Sequence, residues 1–259
     1  LVFGIDPLYS LSGFLVGAIV GLTGVGGGSL MTPLLILLFN VHPATAVGTD
    51  LLYAALTKSA GTLVHGVNRN IDWGIVLKLG AGSVTAAVLT LWALSGLKAD
   101  PAITKLISQV LGGMLILTAL TLVLRRWLLG FARSHRELSP TAQTALTVGT
   151  GAVIGVLVSV SSVGAGALGV TALMLLYPRL PVLRVVATDV AHAVPLTAVA
   201  GLGHWAIGNV DGGMLLSLLV GSIPGILIAS WFSPKVPEAV LRLLLGAVLT
   251  LVGIKLLTS

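Results

Sequence analysis

The sequence predicts an all-α integral membrane protein of two inverted repeats, on three observations. First, its 259 residues are 56% hydrophobic and 8% charged, with a mean hydropathy of +1.09; a soluble domain of this length does not have that composition. Second, apolar runs long enough to cross about 30 Å of hydrocarbon follow one another with short interruptions. Third, Gly24-Val25-Gly26-Gly27-Gly28-Ser29 returns as Ser161-Ser162-Val163-Gly164-Ala165-Gly166 in the second half. Glycine-rich breaks at matching positions of two homologous membrane halves usually build a binding site at the seam between them. The chain therefore reads as a transporter.

The apolar segments of the first half run from about Leu11 to Phe39, Pro43 to Gly66, Trp73 to Leu94 and Pro101 to Leu124. Those of the second run from about Ala145 to Tyr177, Pro181 to Trp205, Met214 to Phe232 and Pro237 to Leu257. Leu, Val and Ala with scattered Gly favour closely packed helices over the weak alternation of barrel strands. The organisation is a first membrane repeat over 1–130, an Arg-rich cytoplasmic linker over 131–140 and a second repeat over 141–259.

An offset of 139 residues aligns Thr49-Asp50 with Thr188-Asp189, His65 with His204, Asn70 with Asn209, Asp72 with Asp211 and Gly82-Ser83 with Gly221-Ser222. In a chain this rich in Leu and Val, the polar matches carry the duplication. The first segment of each half is long and has glycines near its middle, so it either crosses as a broken helix or returns to its own side as a re-entrant hairpin. Charge chooses between the two. The loop with Arg125, Arg126, Arg133 and Arg136 is expected to be cytoplasmic. With both first segments re-entrant, nine basic residues gather on that side: those four, Arg69, Arg179, Arg184, Lys235 and Arg242. Three then lie outside: Lys98, Lys105 and Lys255. With both crossing, the tally is even. Three crossings per half remain, an odd number, which inverts the halves.

The net charge of +6 and pI near 10 would point to nucleic acid in a soluble domain; here the basic residues sit in short loops and report orientation. Cysteine is absent, which excludes disulfides and thiolate metal sites. Residues 1–10 lack a cleavable signal pattern, and a chain opening on Leu is expected to have lost its start.

Backbone that leaves the helix at membrane depth must satisfy its polar groups with protein, water or ligand. N–H groups near Gly28 to Met31 and near Gly166 to Gly169 would turn the positive ends of two helix dipoles toward an anion. Gly26, Gly27, Gly28, Ser29, Ser161, Ser162, Gly164 and Gly166 are thus the candidate substrate ligands; the alternative is close helix packing alone. The run is no dinucleotide fingerprint, since Ser29 stands where the third glycine would be.

Lys58, mid-segment, supplies a cation where an unpaired charge is costly; the alternative is a pair with a carboxylate such as Asp50. Asp50 and Asp189 fall about two turns inside their helices, and Asp189 and His192 share a face, so the three are candidates for proton coupling; Thr-Asp as a helix cap is the alternative. His65 and His204, with Asn70, Asp72, Asn209 and Asp211, lie at helix ends. The two histidines are gating candidates, although Asn-x-Asp before an apolar run reads first as a turn and N-cap. No His pair has metal-ligand spacing, and Ser161-Ser162 has only distant His candidates for a base.

Gly21-Leu22-Thr23-Gly24-Val25-Gly26-Gly27-Gly28, then Pro33-Leu34-Leu35, then Ala46-Val47-Gly48-Thr49-Asp50, with the degenerate copy Ala187-Thr188-Asp189, resemble the TauE/SafE sulfite exporter family. The resemblance covers nearly the whole chain. It implies transport of sulfite or a related organosulfonate in the bacterial plasma (inner) membrane. Ala165 in place of a glycine, preceded by Ser161-Ser162, departs from the pattern and implies an asymmetric site.

The expectation is alternating-access export of a small sulfur oxyanion, without enzyme activity or cofactor. Its partners are the anion and the bilayer, not nucleic acid. The small-residue face Gly112-Gly113 suits contact with a second copy in a homodimer. The rivals are an intramembrane enzyme, which a Ser hydroxyl bonded to a His would favour, and a non-transporting subunit; a cation transporter would use Asp50 and Asp189 as ligands, against which Lys58 argues.

Overall fold

The computed structural model describes residues 5–23, 28–67, 69–96, 101–134, 139–232 and 238–258. Those residues form ten helices and no strand. The first five are α1 (Pro7–Thr23), α2 (Gly28–Phe39), α3 (Pro43–Val67), α4 (Trp73–Ser95) and α5 (Pro101–Ser134). The next five are α6 (Pro140–Ser161), α7 (Ala167–Leu176), α8 (Val182–Ala206), α9 (Gly212–Phe232) and α10 (Glu238–Thr258). Among the described residues five stretches are long and apolar enough to span a membrane: α4, Thr104–Leu124 of α5, α6, α8 and Gly212–Ala229 of α9.

Local chemistry sets the ends. The Asp72 carboxylate accepts from Ile75 N–H to cap α4, the Ser139 hydroxyl accepts from Ala142 N–H ahead of Pro140 to cap α6, and Pro181 precedes α8. Asp211 accepts from Met214 N–H at 2.9 Å in the same way, so the Asn-x-Asp repeats are turn-and-cap signals as read. α5 runs ten residues beyond Leu124, into the segment expected to be linker; no proline interrupts Arg125 to Ser134, and the helix continues through Gly130.

Each long first segment is two helices. The second half is broken at Ser162 to Gly166, where Ser162 (φ 57°), Gly164 (φ 121°) and Gly166 (φ 141°) take left-handed backbone. The ends of this pair lie together: Gln143 Nε2, near the start of α6, donates to the Leu176 carbonyl at the end of α7 (2.7 Å), and the Thr147 and Tyr177 hydroxyls bond at 2.8 Å. α6 and α7 are therefore a hairpin. In the first half the Tyr9 ring of α1 packs 4.7 Å from the Phe39 ring of α2, again start against end.

Four helix packings hold the bundle. α1 runs parallel to α9: a Cβ at Gly13 or Gly17 would strike the backbone of Leu218 or Ser222, and one at Gly221 or Gly225 that of Ser10 or Phe14. α4 and α6 meet likewise, Gly151 and Gly155 lying on Leu79 and Ser83, and Gly82 on Val148. α3 and α8 pack antiparallel, with Gly48 against Asn209 and His204 and Gly201 against Leu52. α5 and α10 are antiparallel too, Gly112 meeting Gly253 and Gly246 meeting Val123. Gly112, expected to face a second copy, thus packs within the chain, while Gly113 looks onto open space.

Two cross-braces tie the halves. Thr188 Oγ1 accepts from Asp72 N–H at 3.0 Å, and Thr49 Oγ1 from Asp211 N–H at 3.1 Å. Arg184 adds an ion pair with Asp72 at 3.5 Å. The outside is apolar, with Leu77, Trp92, Leu227 and Leu251 exposed, whereas Thr49, Asp50, Ser83, Thr188, Asp189 and His192 are buried. A polar interior inside an apolar shell is the arrangement a lipid solvent selects.

Candidate anion site at the centre of the bundle

α3 and α8 carry their ionisable residues to one buried centre. Asp50 and Asp189 are each the eighth residue of their helix, two turns inside as expected and within unbroken α-helix, which removes the helix-start cap as their role. Asp50 Oδ2 accepts from the Thr32 hydroxyl of α2 and from the Ser162 hydroxyl at 2.9 Å, the first residue of the second break. Its Oδ1 is buried with no hydrogen-bond partner. Asp189 stands against the first turn of α7: a Cβ on Gly169 would overlap Oδ1, and that oxygen too is buried and unpartnered.

Lys58 is buried and donates from Nζ to the Ala165 carbonyl at 2.9 Å, inside the second break. Among the described residues no ion pair joins it to either carboxylate, although both Asp50 and Asp189 lie within its electrostatic reach. The break is thus held from two sides, by a carboxylate at Ser162 and an ammonium at Ala165.

His192 does not bond to Asp189. Its Nε2 lies 2.8 Å from Ser83 Oγ of α4, and Nδ1 has no partner. A Ser–His bond is the feature that would favour an intramembrane enzyme; among the described residues no third group bonds the ring, and Ser83 is buried in mid-helix with its backbone against Gly155.

The other candidates fall as follows. Gly26 and Gly27 lie outside the described residues; Gly28 and Ser29 open α2, and the side chains of Ser29 and His65 also lie outside what the structure describes. Ser161 Oγ donates to the Leu157 carbonyl at 2.7 Å and approaches the Val163 carbonyl at 3.2 Å. Both serine hydroxyls of the break are therefore occupied by protein. Gly164 and Gly166 shape the break and deliver its backbone to α7, where Gly169 N–H bonds to the Gly164 carbonyl (3.2 Å) and Val170 N–H to that of Gly166 (2.8 Å). His204 is buried, Nε2 on the Ser159 carbonyl (2.8 Å) and Nδ1 3.4 Å from Asn209, which ties the end of α8 to α6. No group of three His, Cys, Asp or Glu among the described residues could hold a metal ion. Thr32 and Ser83, hydroxyls that the sequence did not single out as site residues, complete the centre.

An all-helical bundle with several spanning helices and a polar, charged centre belongs to a multi-pass membrane transporter. The chain belongs to the TauE/SafE sulfite exporter family, whose model matches residues 9–256. It is 38% identical over 253 residues to the probable membrane transporter protein YjnA of Bacillus subtilis, covering 95% of this chain and 98% of that protein. It is 32% identical to the probable membrane transporter protein YdhB of the same organism, over 88% and 91% of the two chains. A probable membrane transporter protein of Methanocaldococcus jannaschii is 26% identical over 97% of this chain and 95% of its own. No solved structure matches the chain.

Proposed function

We propose that the protein is a secondary transporter exporting a small sulfur oxyanion, sulfite or an organosulfonate, across a bacterial inner membrane by alternating access. The site lies where the Ser162–Gly166 break and the start of α2 approach Asp50. The observation that carries the reading is Lys58: a buried ammonium bonded to the open backbone of the break, at a depth where an unpaired cation is kept for function. The break and the start of α2 provide backbone and hydroxyl donors, and Asp50, Asp189 and His192 are the candidates for proton coupling.

The chain is read as two repeats, 1–130 and 141–259, joined by the Arg-rich segment and inverted relative to each other. The antiparallel packing of equivalent helices, α3 on α8 and α5 on α10, supports inversion. The meeting of hairpin ends in both halves supports re-entry of each first segment. Substrate choice follows from the family description and from Lys58, since a monovalent oxyanion would find at the centre one ammonium and helix-start N–H groups.

The test is efflux of sulfite from proteoliposomes. Lys58→Ala is expected to cut the rate at least tenfold, and Gly166→Leu, which places a side chain on backbone with φ 141°, to abolish it. Parental rates in both variants would end the assignment of this site.

A further inference from the structure

Two hydroxyl donors of the proposed site are already engaged by an anion, and that anion is the Asp50 carboxylate. Its Oδ2 takes the hydroxyl of Thr32, in the second turn of α2, and that of Ser162, at the opening of the second break. One oxygen thus gathers donors from both hairpins, as a bound oxyanion would. We infer that Asp50 is an internal competitor of the substrate: ionised, it holds the oxyanion donors, and protonated, it yields them, so that one proton travels with each monovalent anion and net export runs while the outward anion gradient exceeds the opposing proton gradient. This rests on the proposed transport function and names its coupling residue.

The surrounding charge agrees. Facing Asp50 are Lys58 and Tyr53 on its own helix, while α8 brings Asp189 and His192 to the same centre. α2, α6 and α9, which also pack on α3, contain no ionisable residue, and α5 carries Lys105 near one end and its Arg residues at the other. With both carboxylates ionised the centre holds one positive and two negative charges. A further anion there would leave an excess of two negative charges away from water, which is strongly unfavourable. A proton on Asp50 Oδ2 removes one negative charge and turns the carboxylate from acceptor into donor. The Thr32 and Ser162 hydroxyls then rotate to the incoming oxyanion. On release the anion leaves first, the proton follows, and the hydroxyls return to Oδ2. Asp189 differs, because Oδ1 of its carboxylate has no side-chain donor and lies against backbone at Gly169.

The probe is methanesulfonate, whose charge is constant over the pH range in which sulfite itself titrates. Its affinity for the purified full chain is measured from pH 5 to 8 by thermal stabilisation, and protons taken up per anion by calorimetry in two buffers. The wild type is expected to bind more weakly as pH rises, approaching about tenfold per pH unit at the alkaline end, with up to one proton taken up per anion. Asp50→Asn is expected to bind with less than a twofold change across the range and to lose accumulation driven by a proton gradient while retaining anion exchange. Asp189→Asn is expected to keep the slope. A slope unchanged in Asp50→Asn, or loss of binding in an Asp50→Asn protein that melts like the wild type, overturns the inference alone. If Asp50→Asn does not fold, proton uptake by the wild type decides, and zero uptake at every pH overturns it. A wild type that binds neither methanesulfonate nor sulfite at any pH overturns the transport reading itself.

Discussion

At the scale of single residues, the site is governed by where buried polar atoms find partners. Asp189 Oδ1, Asp50 Oδ1 and His192 Nδ1 have none, and such atoms persist where function requires them. Gly169 exists for one of them: any Cβ there would overlap the Asp189 carboxylate. Gly169→Ala is therefore expected to destabilise the protein by about 1–3 kcal/mol, the usual range for overpacking. Adding Asp189→Ala removes the obstacle and is expected to restore most of that loss without restoring transport. Thermal unfolding of the two single variants and the double variant in detergent gives the coupling, and strictly additive losses would separate the two residues. Asp50, Asp189 and Lys58 were legible in the sequence because charge inside an apolar run has few explanations. Thr32 and Ser83 were not, for a physical reason: hydroxyls in helices commonly bond back to the carbonyl four residues earlier, as Thr57, Thr85, Ser159 and Thr197 do here. Only the packing shows which hydroxyl reaches across to another helix.

At the scale of elements, glycine decides which helix faces touch. Gly82 of α4 lies on the Val148 carbonyl of α6, whereas Gly80, two residues earlier, has nothing within 4 Å of its Cβ position. Gly82→Leu is expected to cost about 2 kcal/mol or more, through helix separation, and Gly80→Leu to stay within about 0.5 kcal/mol. A denaturation comparison of the two variants checks this, and equal losses would contradict the α4–α6 packing. The second half makes the parallel case at Gly221 of α9, which lies on the Ser10 carbonyl of α1. Those pairs also refine the repeat. Leu79 and Leu218 match at the offset of 139, but their contacts Gly151 and Gly13 match at 138. At these contacts α1 and α6 therefore align one residue away from the register set by the polar motifs. That shift was illegible, because apolar helix surfaces tolerate many registers and only backbone contacts at the glycines fix one. The second break and the helix starts near Pro43 and Pro181 were legible, since glycine clusters and prolines constrain the backbone directly.

At the scale of the whole molecule, three contacts bear on how the chain sits in a membrane. Arg184 and Thr188, at the start of α8, bond to Asp72 in the turn after α3. His42 meets Thr104 at 3.1 Å, which puts the start of α3 beside that of α5. Thr49, near the start of α3, meets Asp211 in the turn after α8. If each first segment returns to its own side, these partners fall on the same side in all three cases; if each crosses, the start of α8 moves to the face opposite the turn after α3, and the Arg184–Asp72 contact becomes impossible. The absence of native cysteine allows a direct measurement. Single-cysteine variants at Arg69 and Arg179 are expected to react with a membrane-impermeant maleimide only from the cytoplasmic side, and those at Lys105 and Asn209 only from the other. Labelling of Arg179→Cys from the same side as Lys105→Cys would mean that α6 and α7 together cross the membrane. The halves would then not be inverted, and the two sides of the centre could not exchange access by the symmetric motion that inverted repeats allow.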